Sequence, residues 1–179
     1  EYLTAIAYNA NPLITKIGAK YSRNIYGSAE TIAAAKVGDQ ITVTGYGFGS
    51  ADNGTQVRFQ GISGRFLVNA DEVSANGQTV KVTVPAGAVS GYMNIQAGAQ
   101  ESNNELLEII PTVLAVTPDP LVPGGDITVT ANGIGVNPEL AALIFKLDAN
   151  NYETVKPLAL MANPDGTVKY DPASSAELQ

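Results

Sequence analysis

The side chains that most often carry chemistry are scarce in this chain. Its 179 residues include no cysteine and no histidine. That removes the imidazole base of a Ser-His-Asp arrangement, the thiolate nucleophile and the usual zinc ligand sets. Carboxylates remain, and Asp71-Glu72 or Asp165 with Asp171 are the pairs to consider as acid and base. A glycosidase needs its two carboxyls held across a cleft, whereas acidic residues in turns are ordinarily solvated surface. Asp52 and Asn53 offer oxygens to calcium, but that ion takes about six to eight oxygen ligands, and no spaced carboxylate loop accompanies them. The run Gly45-Tyr46-Gly47-Phe48-Gly49 has the look of a phosphate loop. Ser50 stands where the last glycine of a dinucleotide-binding turn belongs, and no helical pattern follows. The sequence therefore predicts no enzyme, no cofactor and no metal.

Contact chemistry is better represented. Interfaces favour tyrosine and arginine. Tyr21, Arg23 and Tyr26 fall in one connecting stretch, and Tyr46, Arg65 and Tyr92 fall in strand or turn contexts. These six are the candidate ligand or partner contacts. A coplanar row of exposed tyrosines would suit stacking on sugar faces, with Arg23 and Arg65 as polar partners. Scattered or buried tyrosines would suit a structural or adhesive role. The absence of tryptophan weakens the sugar reading, because tryptophan offers the largest flat face.

The elements that must position these residues come from an internal repeat. Gly38-Asp39-Gln40-Ile41-Thr42-Val43-Thr44-Gly45-Tyr46-Gly47-Phe48-Gly49 recurs as Gly124-Gly125-Asp126-Ile127-Thr128-Val129-Thr130-Ala131-Asn132-Gly133-Ile134-Gly135, 86 residues later. Val57 and Phe59 match Leu143 and Phe145 at the same offset. Ile41 and Val43 alternate with Thr42 and Thr44, the pattern of a half-buried strand. Phe48 and Ile134 return an apolar side chain to the core after the glycine turn. Pro12 to Ile17 matches Pro111 to Val116 at an offset of 99. The first copy thus carries an insertion within Gly18–Val37, read as a loop, with one or two helical turns over Ala29–Lys36 capped by Ser28.

The repeat resembles the IPT/TIG family of immunoglobulin-like domains. The resemblance rests on Pro12–Ile17, Gly38–Gly49, Thr55–Gly61, Thr79–Pro85 and Gly91–Ile95 in copy one. In copy two it rests on Val113–Pro118, Pro123–Gly135 and Thr167–Tyr170. It implies an all-β chain of two tandem immunoglobulin-like β-sandwich domains. The expected boundaries are an extended arm or edge strand at 1–11, a first domain at 12–110 and a second at 111–179. Family members occur in bacterial surface proteins, glycan-binding lipoproteins, phage virions, receptors and some transcription factors, so the resemblance implies fold far more than function.

Other strands follow the same logic. Asn53-Gly54 and Asn76-Gly77 are tight-turn signals. Thr79–Val84 alternates and is closed by Pro85. Ser90–Gln96 and Leu106–Ile110 complete copy one, and Pro111 opens copy two with almost no linker. Thr167–Tyr170 matches Thr79–Val82, but only seven residues follow Pro172. Three readings of that end compete: a chain cut short, an abbreviated last strand, or a strand supplied by another subunit. Tyr2, Leu3, Ile6 and Tyr8 in the N-terminal arm are the candidate strand-exchange residues.

Composition bounds the rest. The chain is 45% hydrophobic and 15% charged, which is apolar enough to fold. Its net charge of −7 and lack of any basic run disfavour nucleic acid. No stretch approaches the roughly 20 apolar residues of a membrane span. The expectation is a non-catalytic, extracellular module of a bacterial surface protein, acting through a protein partner or self-association as a spacer, stalk or assembly subunit. The alternatives are a carbohydrate-binding surface module that uses exposed tyrosines, and a phage virion component.

Overall fold

The computed structural model describes residues 11–24, 31–50, 54–120, 127–134, 143–146, 152–155, 160–162 and 168–170. All regular elements among them are strands. Copy one contributes β1 (Leu13–Gly18), β2 (Tyr21–Asn24), β3 (Thr31–Ala35), β4 (Gln40–Tyr46), β5 (Gln56–Gly61) and β6 (Gly64–Asn69). It continues with β7 (Glu72–Val73), β8 (Thr79–Thr83), β9 (Gly91–Ala97), β10 (Gln100–Glu101) and β11 (Glu105–Ile109). One sheet runs β1-β4-β8-β7. The other runs β2-β3-β11-β9-β5-β6, with β10 paired to β9.

The alternation read in β4 sets the core. Ile41 and Val43 are fully buried while Gln40, Thr44 and Tyr46 face outward. Val80 and Val82 do the same on β8, and Val57 and Phe59 on β5. Ile14, Ile41, Val43, Val80 and Val82 of the first sheet meet Ala35, Val57, Phe59, Met93, Ile95, Leu107 and Ile109 of the second. Each of these side chains larger than alanine contributes about 1.5–3 kcal/mol by leaving water. Phe48 returns to this core after the glycine turn and is fully buried. Apart from β2, β3, β6 and β10, the strand order is that of an immunoglobulin sandwich, β1-β4-β8-β7 facing β11-β9-β5.

The insertion is not a loop with helical turns. Residues 21–24 and 31–35 pair as antiparallel strands, and β3 then runs parallel to β11, with Leu107 opposite Ala33 and Ile109 opposite Ala35. The small side chains of Ala33, Ala34 and Ala35 read as helix formers. Here Ala34 and Ala35 are buried, and all three lie in β3, paired to β11 on one side and to β2 on the other. The gain of tertiary pairing overrides a weak local propensity.

The asparagine-glycine turn at Asn76-Gly77 forms as expected. Gly77 N–H donates to Ser74 O at 2.8 Å, and Ser74 Oγ donates to Asn76 Oδ1 at 2.7 Å.

Copy two contributes β12 (Thr112–Thr117), β13 (Thr128–Asn132), β14 (Leu143–Lys146), β15 (Tyr152–Val155), β16 (Leu160–Ala162) and β17 (Val168–Tyr170). The repeat is visible in the register itself. In copy one Ile14 pairs with Gly45 and Lys16 with Thr44, leaving Thr15 as a bulge. In copy two Val113 pairs with Ala131 and Ala115 with Thr130, leaving Leu114 as the bulge. Both sequence offsets, 99 on the first strand and 86 on the second, are reproduced. The match of Thr167–Tyr170 to Thr79–Val82 needs correction. Val43 pairs with Val80, but its counterpart Val129 pairs with Tyr170, so β17 is displaced by two residues against that alignment. A two-residue step preserves the inward face, so alternation alone could not detect it.

The junction between the copies is tight. Only Ile110 and Pro111 separate β11 from β12. Ile110 N–H donates to Ala35 O at 2.8 Å. A Cβ placed on Gly133 would stand 2.9 Å from Ile109 Cγ2 and 3.2 Å from Ile110 O, so β13 of copy two ends directly against the last strand of copy one.

Candidate functional site

The six candidate contact residues divide between the sheets. Tyr46 ends β4 and is 58% exposed, opposite the exposed Leu13. Tyr92 on β9 is 59% exposed, opposite the exposed Leu106. The two sheets meet through the core, so these two tyrosine-leucine pairs lie on opposite outer faces of the sandwich. They cannot form a row. Tyr21 on β2 shares the larger sheet with Tyr92, but β3 and β11 lie between them, at least about 14 Å at ordinary strand spacing. Arg23 sits in β2 opposite Ile32. Tyr26 lies outside the described residues, as do Tyr2, Leu3, Ile6 and Tyr8 of the arm.

Arg65 on β6 is exposed, and its Nη2 donates to Asn104 Oδ1 at 3.0 Å. It borders a polar network that the sequence did not single out. Arg58 Nη1 donates to Glu101 Oε1 at 2.7 Å and Nη2 donates to Gln96 Oε1 at 3.0 Å. Asn94 Nδ2 donates to the other oxygen of Glu101 at 3.1 Å. The Arg58 hydrogen bond, followed by that of Asn94, holds the Glu101 carboxyl below its ordinary pKa. Asn94 is buried, yet its Oδ1 has no hydrogen-bond partner. Arg58 stands between the buried Val57 and Phe59 and so faces outward, and the register of β5, β9 and β10 brings it beside Glu101.

The second feature missed in the sequence is a cleft of about 500 Å³ at the side of the sandwich. It lies between β1, the edge of one sheet, and the β2–β3 edge of the other. Ile17, Ala19 and Ala33 form a half-buried floor that packs against the core. Thr15, Ser22 and Thr31 bring hydroxyl-bearing residues to its rim, and Lys16 and Tyr21 stand beside them. The Lys20 and Lys36 ammonium groups lie 5.4 and 5.8 Å from the centre of the Tyr21 ring. Glu105 also lines the cleft, where it accepts a hydrogen bond from Asn103 Nδ2 at 2.7 Å.

Among the described residues no group of three or more Asp or Glu side chains is placed to hold a metal ion. Asp71 is committed elsewhere, with Oδ2 accepting from Thr83 Oγ1 at 2.8 Å and from Gln40 Nε2 at 3.3 Å. Its neighbour Glu72 accepts from Lys81 Nζ at 2.8 Å. Asp165 and Asp171 lie outside the described residues. No described helix is long and apolar enough to cross a membrane.

No family model matches the chain, and no curated protein matches it. Among solved structures it is similar to a structural genomics protein of unknown function from Bacteroides thetaiotaomicron VPI-5482, at 10% identity and a TM-score of 0.45. The match covers 92% of this chain and 44% of that one, so this chain spans less than half of that protein's length.

Proposed function

We propose that this protein is a non-catalytic structural module that works through protein-protein contacts, as a spacer or assembly subunit. The observation that carries the reading is the state of β12. Val113 and Val116 occupy the register positions of Ile14 and Ile17. Ile14 is 2% exposed and Ile17 packs on the core, whereas Val113 is 57% exposed and Val116 36%. The same sheet position that copy one covers is therefore open to solvent in copy two. An apolar strand face of that kind favours association. The two-residue junction at Ile110-Pro111 supports a spacer role, because it leaves little slack between the copies.

The resemblance to IPT/TIG modules makes a bacterial surface the setting of this proposal. The partner we infer is a second copy, with residues 1–11 as the strand it donates, since that segment alternates apolar side chains on both faces. Light scattering of the chain with and without residues 1–11 tests this. Assembly that vanishes on deletion supports strand donation. A monomer in both cases contradicts self-association.

A further inference from the structure

The cleft between β1 and β2 lies in a region whose charge opposes that of the rest of the chain. Residues 16–36 carry Lys16, Lys20, Arg23 and Lys36 against the single carboxylate Glu30, in a protein whose net charge is −7. Lys16 lines the cleft, and Lys20 and Lys36 flank the ring of Tyr21, which lines it too. Neither Lys16, Lys20 nor Lys36 makes a salt bridge with a described carboxylate. The two described lysine-carboxylate and arginine-carboxylate pairs, Lys81–Glu72 and Arg58–Glu101, lie elsewhere. The carboxylate that lines the cleft, Glu105, accepts a hydrogen bond from Asn103 Nδ2 and makes no salt bridge with these lysines.

We infer that this cleft binds a small acidic saccharide, a sugar carrying carboxylate or sulfate groups. The three elements of the site each match one part of such a ligand. The half-buried floor of Ile17, Ala19 and Ala33 suits the C–H face of a pyranose ring. Ser22 and Thr31 bring hydroxyl donors and acceptors to the rim for its hydroxyls, and Thr15, whose Oγ1 donates to Thr44 O at 3.1 Å, brings an acceptor. The lysine ammonium groups supply mobile positive charge for its anionic substituents. A volume near 500 Å³ holds two or three sugar units, within the range of about 300–1,000 Å³ typical of ligand pockets. A neutral sugar would leave the charge unused, and a bare inorganic anion would leave the apolar floor uncovered. The site is separate from the β12 face and does not depend on assembly.

The test is an amide NMR titration of the full chain with trigalacturonate, a sulfated disaccharide, neutral maltotriose and a short oligoglutamate. The expected result is shifts confined to Thr15–Ser22 and Thr31–Ala33 with one or both acidic sugars. Affinity should fall at least about tenfold between low and high salt. The triple variant K16Q/K20Q/K36Q should weaken binding at least about tenfold, whereas K81Q, on β8 and outside the cleft lining, leaves it unchanged. The carboxylated and sulfated probes identify which acid group is read. Absence of shifts with either acidic sugar overturns the inference, as does equal binding of maltotriose. Tighter binding of oligoglutamate assigns the cleft to peptide instead. An unchanged thermal melt of the triple variant shows that any loss of binding is local.

Discussion

Asn103 grips the backbone of Ile14 with both ends of its amide. Its Oδ1 accepts the Ile14 N–H at 2.7 Å and its Nδ2 donates to the Ile14 carbonyl at 3.1 Å. Ile14 lies in β1 of one sheet and Asn103 in the segment joining β10 to β11 of the other, 89 positions apart in the chain. Ile14 pairs with Gly45 just before the bulge of β1, and β1 is the edge strand of its sheet. The asparagine thus satisfies an edge strand that sheet pairing alone leaves open, and it ties β1 to the segment leading into β11.

Replacing Asn103 by Ala strands a partly buried N–H and C=O, so it is expected to cost about 1–3 kcal/mol. Asn103→Asp keeps the acceptor but sets a second carboxylate against Glu105 and the Ile14 carbonyl oxygen, so at neutral pH it should cost at least as much as alanine. Chemical denaturation gives the magnitude. Hydrogen exchange at the Ile14 amide should quicken more than exchange at the Ile41 amide in the middle of β4.

Gly45 is a second constraint on β1. A Cβ there would run into the Leu13 carbonyl oxygen and stand 2.6 Å from the Phe48 ring. Gly45→Ala is expected to destabilise copy one by about 1–3 kcal/mol through overpacking. The natural alanine at the matching position, Ala131, is buried and paired to Val113 without that obstacle on β12. Ala131→Gly should therefore cost less than Gly45→Ala in the same denaturation measurement.

Gly133 has a positive φ of 76° and lies against Ile109 and Ile110. Gly133→Ala combines backbone strain with a close contact, and is expected to cost about 1–2 kcal/mol. If the junction couples the copies as its packing implies, the variant should broaden or split the thermal transition. A sharp transition unchanged in midpoint would show that the junction carries no coupling.

Glu101 makes a prediction about pH. Its folded-state pKa is lowered, chiefly by the hydrogen bond from Arg58. A depressed carboxylate pKa adds stability above the unfolded-state value and loses it as pH falls through the folded-state value. The Arg58–Glu101 pair is solvent-exposed on the acid's side, so the effect on stability is small. NMR titration of the Glu101 carboxyl is the direct measure. Arg58→Gln should raise its pKa towards the ordinary value, and Arg65→Gln should raise it less.

Much of this fold was legible because its signals are local. Ile41-Thr42-Val43-Thr44 states a strand and its buried face, and the recurrence of that stretch states the second copy. The β2–β3 hairpin was hidden because three consecutive alanines favour helix in isolation, and only the parallel approach of β11 makes their small size a strand requirement. The two-residue displacement of β17 was hidden because it keeps the face pattern intact. The exposure of Tyr46 and Tyr92 is in keeping with their strand and turn contexts, but nothing in their spacing reveals that they point from opposite faces. The cleft had one visible trace in the sequence, four cations within residues 16–36 of an acidic chain.

The most direct test of the contact reading is the solution mass of the intact chain over a range of concentrations, compared with a V113S/V116S variant. Both valines are exposed, so the variant should keep its fold and melt. The expected mass rises with concentration for the natural sequence and stays monomeric for the variant. A natural chain that remains monomeric throughout, or a variant that assembles equally well, would contradict a role for the β12 face in self-association.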